Sequence, residues 1–173
     1  MTGLLRHILD RWRLCAVLAS AAMLAIAHAF ESFGGLAPCT LCLRQREVYW
    51  VAGAVALASM VVVRLPGGPR FRQATCWLLA LLFLTSAGVA AYHAGVEWKF
   101  WPGPTTCAGA GAAGGVNAEA MTALLQGARI RGPACDQPAW VFLGLSMAGW
   151  NVLISLGLTS LSVAAALRER SKA

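Results

Sequence analysis

Runs of uncharged, apolar sequence, each close to the thickness of a bilayer's hydrocarbon core, dictate most of what this chain can fold into. Leu14 to Phe30 contains no Asp, Glu, Lys or Arg and follows Arg6, Arg11 and Arg13. A helix of about 20 residues crosses the core, so this run reads as a transmembrane span. Val48 to Val63 is shorter, but Arg44 and Arg46 before it and Arg64 after it can snorkel to the interfaces. Ala74 to Tyr92 is uncharged and follows a turn at Pro66-Gly67-Gly68-Pro69. Trp140 to Leu167 exceeds one crossing, so Trp140 to Leu145 reads as an interfacial lead-in to a fourth span from about Ser146. The prediction is an all-α, single-domain bundle of four transmembrane helices, with spans at about 14–30, 48–63, 74–92 and 146–167. Two outer loops then cover about 31–47 and 95–140.

Composition agrees, with 58% hydrophobic residues against 12% charged, far from the soluble average. The net charge of +7 would suggest nucleic acid if it clustered on a soluble face, but the basic residues punctuate apolar runs, so a nucleic-acid partner is not expected. Arg6, Arg11, Arg13, Arg64, Arg70, Arg72, Arg168, Arg170 and Lys172 fall on one side of the predicted topology. Arg44, Arg46, Lys99, Arg129 and Arg131 fall on the other, matched by Glu31, Glu47, Glu97, Glu119 and Asp136. Basic residues gather on the cytoplasmic side, which makes both termini cytoplasmic. Tyr49, Trp50, Trp98, Trp101 and Trp140 then mark the outer boundary as an aromatic belt. The basic start and Ala27-His28-Ala29 also look like a cleavable signal, but either way the segment after Ala29 lies outside.

This topology divides the six cysteines. Cys15 and Cys76 lie at cytoplasmic span ends and read as buried packing residues, whereas Cys39, Cys42, Cys107 and Cys135 lie outside, where disulfides persist. Pro38-Cys39-Thr40-Leu41-Cys42 places a C-x-x-C just before a helix start, which supplies N–H groups and a dipole that favour a thiolate. Arg46, one turn beyond Cys42, can bring its guanidinium onto the same face and favour a thiolate there. Zinc sites use the same spacing, but Cys107 and Cys135 form no second knuckle, so no metal is expected. A pair as far apart in sequence as Cys107 and Cys135 is more often a static staple than a catalytic pair. A long Gly, Ala and Pro-rich loop, expected to be mobile and anchored by spans at both ends, tips the balance toward a catalytic pair, although four cysteines permit three pairings. In that loop Asn117 can cap a short amphipathic helix, with Met121, Leu124 and Leu125 on one face lying at the membrane surface.

The chain resembles the disulfide bond formation protein B (DsbB) family of quinone-linked thiol oxidases. The resemblance rests on Cys39-x-Leu41-Cys42-x-x-Gln45-Arg46, on His93 and Glu97 in Tyr92-His93-Ala94-Gly95-Val96-Glu97-Trp98, on Cys107, and on Cys135-Asp136 leading into Trp140-x-Phe142-Leu143-Gly144-Leu145-Ser146-Met147. It implies a bacterial inner-membrane oxidoreductase that reoxidises a periplasmic, thioredoxin-like DsbA protein and passes electrons to ubiquinone or menaquinone, for disulfide formation in other proteins. It further implies that Cys107 forms the mixed disulfide, Cys135 exchanges with Cys39, and Cys42 is the thiolate that meets the quinone. Arg46, His93 and Glu97 would shape the quinone pocket. A strongly oxidising partner cannot be reoxidised by ordinary dithiol pools, so an acceptor beyond sulfur is required. With no glycine-rich dinucleotide pattern and no Cys-x-x-Cys-His in the chain, a lipid-soluble carrier is the economical choice. A noncatalytic scaffold braced by disulfides is the rival class, and cysteines inert to quinone would reveal it.

Overall fold

The structure, a computed structural model, describes residues 3–104, 122 and 135–171. Its elements in chain order are α1 (Gly3–Asp10), α2 (Trp12–Ser32), α3 (Thr40–Val62), a 3-10 turn (Gly68–Phe71), α4 (Arg72–Glu97), the two-residue strands β1 (Val141–Phe142) and β2 (Leu145–Ser146), and α5 (Met147–Arg170). The described part is thus helical but for one short antiparallel hairpin. Cys107 and the expected surface helix from Asn117 to Leu125 lie outside the described residues, apart from Thr122, which is helical.

Three segments are long and apolar enough to cross a membrane: Trp12–Ser32, Gly68–Glu97 and Met147–Arg170. α3 has 23 residues, but Arg44, Arg46 and Glu47 in its first two turns leave a shorter apolar part. Small side chains fill the interior: Ala16, Ala52, Ala56, Ala90 and Ala166 are fully buried, as are Ser86, Ser155 and Ser162. Large ones such as Leu18, Leu57, Leu81, Leu84 and Leu153 point outward. Small residues let helix backbones approach closely, and an outward leucine surface suits lipid, so this inside-out pattern is that of a membrane bundle. α3 packs against both α2 and α4, and α4 lies along α5.

Contacts at the two ends fix an up-and-down arrangement. At one end the Trp12 indole donates to Ser162 Oγ at 3.0 Å, Arg13 donates to the Arg72 carbonyl at 2.7 Å, and Arg168 pairs with Asp10 at 2.9 Å. The opposite end gathers the close of α2, the start of α3, the close of α4 and the start of α5. The turn between α3 and α4 needs Gly67, whose φ of +74° suits glycine. The hairpin before α5 turns through Leu143 and Gly144, at φ +50° and +79°, the paired positive values of a tight primed turn. Ser146 then caps α5 by accepting from Gly149 N–H at 3.1 Å. The sequence reading held Trp140 to Leu145 at the interface but contained neither this hairpin nor a separate α1.

One assignment is corrected here. Tyr49 was expected in an outer aromatic belt, yet it is 3% exposed and points into the bundle. Its hydroxyl is consumed by Asn151 and Ser155 of α5 at 2.6 and 2.9 Å, polar partners that lipid could not offer. Trp50, Trp98 and Trp101 remain exposed.

Candidate functional site

The C-x-x-C sits where α3 begins. Pro38 precedes it, and Cys39 takes an extended conformation as the N-cap residue, where a helix leaves N–H groups without partners. Its sulfur occupies the role a Ser or Asp would have, accepting from Cys42 N–H at 3.3 Å. Cys39 and Cys42 are free thiols with sulfurs 2.9 Å apart, so one can hold the proton that the other gives up. From α4, His93 brings Nε2 within 3.6 Å of Cys39 Sγ.

These surroundings pull the Cys39 thiol down to about 4, first through the hydrogen bond from the Cys42 thiol and then through His93, with burial opposing both. A cap position, a donor thiol and an imidazole favour the same sulfur. In the reduced pair these contacts favour Cys39 as the thiolate. The Arg46 guanidinium is bonded to Glu31 and to the Ala27 carbonyl at 3.0 Å, contacts with the end of α2, and lines the same cavity as the two sulfurs.

The remaining residues of interest close the site from other elements. Glu97 ends α4 with a 5% exposed side chain, its Oε1 lying 3.8 Å from His93 Nε2 and its other oxygen accepting from Ser146 Oγ. Cys135 is buried with Cys39, Leu41 and Val96 in one apolar cluster against which Cys42 also packs. The Cys135 sulfur is disulfide-bonded and lies 3.6 Å from Thr40 Oγ1. Lys99 holds this segment in place by donating to the Asp136 carbonyl and carboxylate at 2.8 and 2.5 Å. The Lys99 contact keeps the Asp136 carboxyl below the ordinary carboxylate range.

A cavity of about 560 Å³ opens beside the sulfurs, within the size range of small-molecule sites. Met23, Leu24, Ile26 and Phe30 supply its apolar wall, and Cys39, Cys42, Arg46, His93 and Glu97 all line it. The structure thus brings five of the seven expected site residues around one space and sets Cys135 against Cys39, while Cys107 lies outside the described residues. Cys39, Cys42 and His93 also present ligand atoms within 4.8 Å of one another. A four-thiolate zinc site is a different matter, because the Cys135 sulfur is engaged in a disulfide and a cysteine binds metal as its thiolate.

Gln45, Tyr49 and Asn151 line the same cavity and had been given no part in the site. Asn151 carried a legible signal, an amide inside an otherwise apolar span, which in a membrane bundle faces the interior and finds a partner.

Comparison with known proteins bears on this arrangement. A family model described as "Disulfide bond formation protein DsbB" matches residues 10–165. Proteins named Disulfide bond formation protein B are similar along most of the chain. That of Dechloromonas aromatica is 31% identical, covering 85% of this chain and 86% of its own. That of Methylococcus capsulatus is 30% identical, covering 87% and 89%, and that of Acinetobacter baylyi is 31% identical, covering 79% and 78%. No solved structure gives a significant match.

Proposed function

The chain belongs to the DsbB family of disulfide bond formation proteins, a disulfide-forming membrane oxidoreductase, and from that premise we propose that it is a thiol:quinone oxidoreductase reoxidising a periplasmic DsbA-like protein. The observation that carries the reading is the cavity itself: an apolar space of about 560 Å³ with a free dithiol, an imidazole and a guanidinium in its wall. An acceptor that takes two electrons and two protons, is mostly hydrocarbon, and bears polar oxygens at one end suits that lining. A quinone, ubiquinone or menaquinone, supplies that chemistry when bound.

The route assigns a role to each sulfur. The partner's thiolate attacks Cys107, breaking the Cys107–Cys135 bond and releasing Cys135 as a thiolate. Cys135 attacks Cys39 of an oxidised Cys39–Cys42 pair, so a Cys135–Cys39 bond forms as Cys42 leaves with the electron pair. Burial of Cys135 against Cys39 supports this exchange. Cys42 is then the free thiolate in the cavity wall, since Cys39 is bonded and no longer shares its proton. The partner's second thiol closes the partner's disulfide as Cys107 is released to re-form its bond with Cys135, leaving Cys39 and Cys42 as the reduced pair. Oxidation of that pair returns their disulfide and sends two electrons and two protons to the acceptor. In this reading Arg46 and His93, both in the cavity wall, would steady negative charge developing on the acceptor's oxygens, help that is strong in a site of low dielectric.

The same reading makes α3 the fourth span, for Arg46 answers to Glu31 and Arg44 to Glu47, which lowers the cost of placing these charges at the boundary. It sets the protein in the bacterial inner membrane with both termini cytoplasmic and the cysteine loops periplasmic. Oxygen-free mixing of the chain with reduced DsbA-like protein and a soluble quinone tests it: quinone is consumed by the native chain, while Cys39→Ser and Cys42→Ser consume none. Near-native turnover in either variant overturns the scheme.

A further inference from the structure

A continuous chain of buried polar groups leads from the middle of the bundle to His93. The Tyr49 hydroxyl donates its one proton to Asn151 Oδ1 at 2.6 Å. Asn151 therefore presents Nδ2 to Gln45 Oε1, at 2.5 Å. Gln45 in turn presents Nε2 to His93 Nδ1, at 2.8 Å. Each amide has one accepting and one donating end, so fixing the first fixes the next. All four side chains are buried, between 3% and 8% exposed, where water cannot substitute for a missing partner.

We propose that Tyr49, Asn151 and Gln45 are positioning residues that hold His93 in one neutral tautomer, with Nδ1 accepting and the Nε2 proton aimed at Cys39. Nδ1 faces a donor and so carries no proton, which leaves Nε2 as the N–H of the ring. Cys135 is buried against Cys39 in one apolar cluster, so the oriented imidazole touches the sulfur to be attacked beside the residue that would attack it. Gln45 and Asn151 reach the chemistry only through His93. A neutral N–H donor steadies negative charge on Cys39 without giving up a proton to it, so the sulfur stays nucleophilic. Protonating Nδ1 as well would require Gln45 and Asn151 both to turn over, against the Tyr49 hydroxyl.

The groups facing Cys39 and His93 are few. α3 contributes Cys42 and Arg46, α2 contributes Glu31, which is paired with Arg46, and α4 contributes Glu97, which accepts from Ser146 of α5. Asp136, from the Cys135 segment, is engaged by Lys99. None of these faces Nδ1 in the structure, where the contact is with Gln45.

The inference rests on the dithiol reading above, and its test is separate from turnover. Full-length reduced protein in lipid nanodiscs, labelled with ¹⁵N-histidine and compared with a His93→Gln control, gives the tautomer directly. Native protein is expected to show a pyridine-type nitrogen at Nδ1 and a pyrrole-type nitrogen at Nε2. Gln45→Glu, of similar shape but unable to donate, should put a proton on Nδ1. Iodoacetamide labelling of Cys39, read by mass spectrometry against pH, gives the consequence: Gln45→Leu and Asn151→Leu should each label about tenfold more slowly at pH 5 than the native chain. Asn151→Gln, which restores an amide, should recover part of that loss. A pyrrole-type Nδ1 in the native protein overturns the inference, as do unchanged labelling profiles in both leucine variants when circular dichroism shows them folded. If instead the native chain fails to consume quinone while the tautomer data hold, the acceptor reading falls and the orientation of His93 stands.

Discussion

Cys39 and Cys42 lie at one end of the bundle and Cys15 and Cys76 lie toward the other, and all four are free thiols close to the N-terminus of a helix. Of the four, only Cys39 meets groups that make it a thiolate in the reduced pair, with Cys42 as the neighbour that shares its proton. Cys39 is the cap itself and accepts an N–H that the helix leaves open, whereas Cys15 lies inside the first turn of α2, its N–H already given to Arg11 and its sulfur 3.9 Å from the Ile8 carbonyl. Cys76 is 1% exposed in the apolar cluster with Leu79 and Phe83, and the Arg13 guanidinium, 3.8 Å away, is shared with Thr75 and the Arg72 carbonyl. Proximity to a helix start is therefore not enough. A sulfur must take the cap position and have a proton-sharing neighbour before its chemistry changes.

The largest test of this contrast exchanges the cysteines. Cys39→Ser and Cys42→Ser each remove a sulfur without which no ring can close, and quinone consumption should fall to the uncatalysed level. Cys15→Ala and Cys76→Ala should leave it unchanged; a comparable loss in either would erase the distinction between the two ends. Next in size is Leu79→Ala in the inner cluster. Leu79 has no exposed surface, and the cavity left behind should cost about 2 kcal/mol or more in a thermal melt, with the pH dependence of Cys39 labelling preserved.

A smaller effect sharpens the description of the outer end. Arg46→Leu leaves Glu31 without its partner and removes a cation from the cavity wall, so the KM for a soluble quinone should rise about tenfold, on the scale of one lost hydrogen bond to a charged group. The smallest concerns the Lys99–Asp136 contact. The Lys99 neighbour keeps the Asp136 carboxyl below its usual range, so the pair is intact at neutral pH and is lost only as pH falls below the ordinary carboxylate range. Asp136→Asn should therefore slow exchange between Cys135 and Cys39 modestly at neutral pH, and the difference from the native chain should vanish in strong acid, as followed by trapping of the mixed disulfide.

How much of this was legible in the chain depended on the range of the interaction. The helices over the apolar runs, the C-x-x-C at a helix start and the start of the last helix at about Ser146 all depend on neighbours within one turn. Pairings across the bundle were not legible in that way. Arg46 meets Glu31 only because the chain folds back after α2, where Leu36 N–H bonds to the Phe30 carbonyl. Tyr49 looked like a boundary aromatic because nothing within its own turn reveals Asn151, more than a hundred positions away. Gln45 was visible only as part of a motif, and its task emerged once His93 and Asn151 stood on either side of it.

The most direct measurement of the central claim is a single-turnover experiment on the reduced chain without any partner. Under nitrogen, protein with Cys39 and Cys42 reduced is mixed with a soluble quinone, and quinone absorbance is followed while the Cys39–Cys42 disulfide is counted by mass spectrometry. Quinone should disappear in an amount equal to the disulfide formed, in the native chain and in Cys15→Ala alike. Quinone that persists beside a dithiol still open to alkylation would contradict the account.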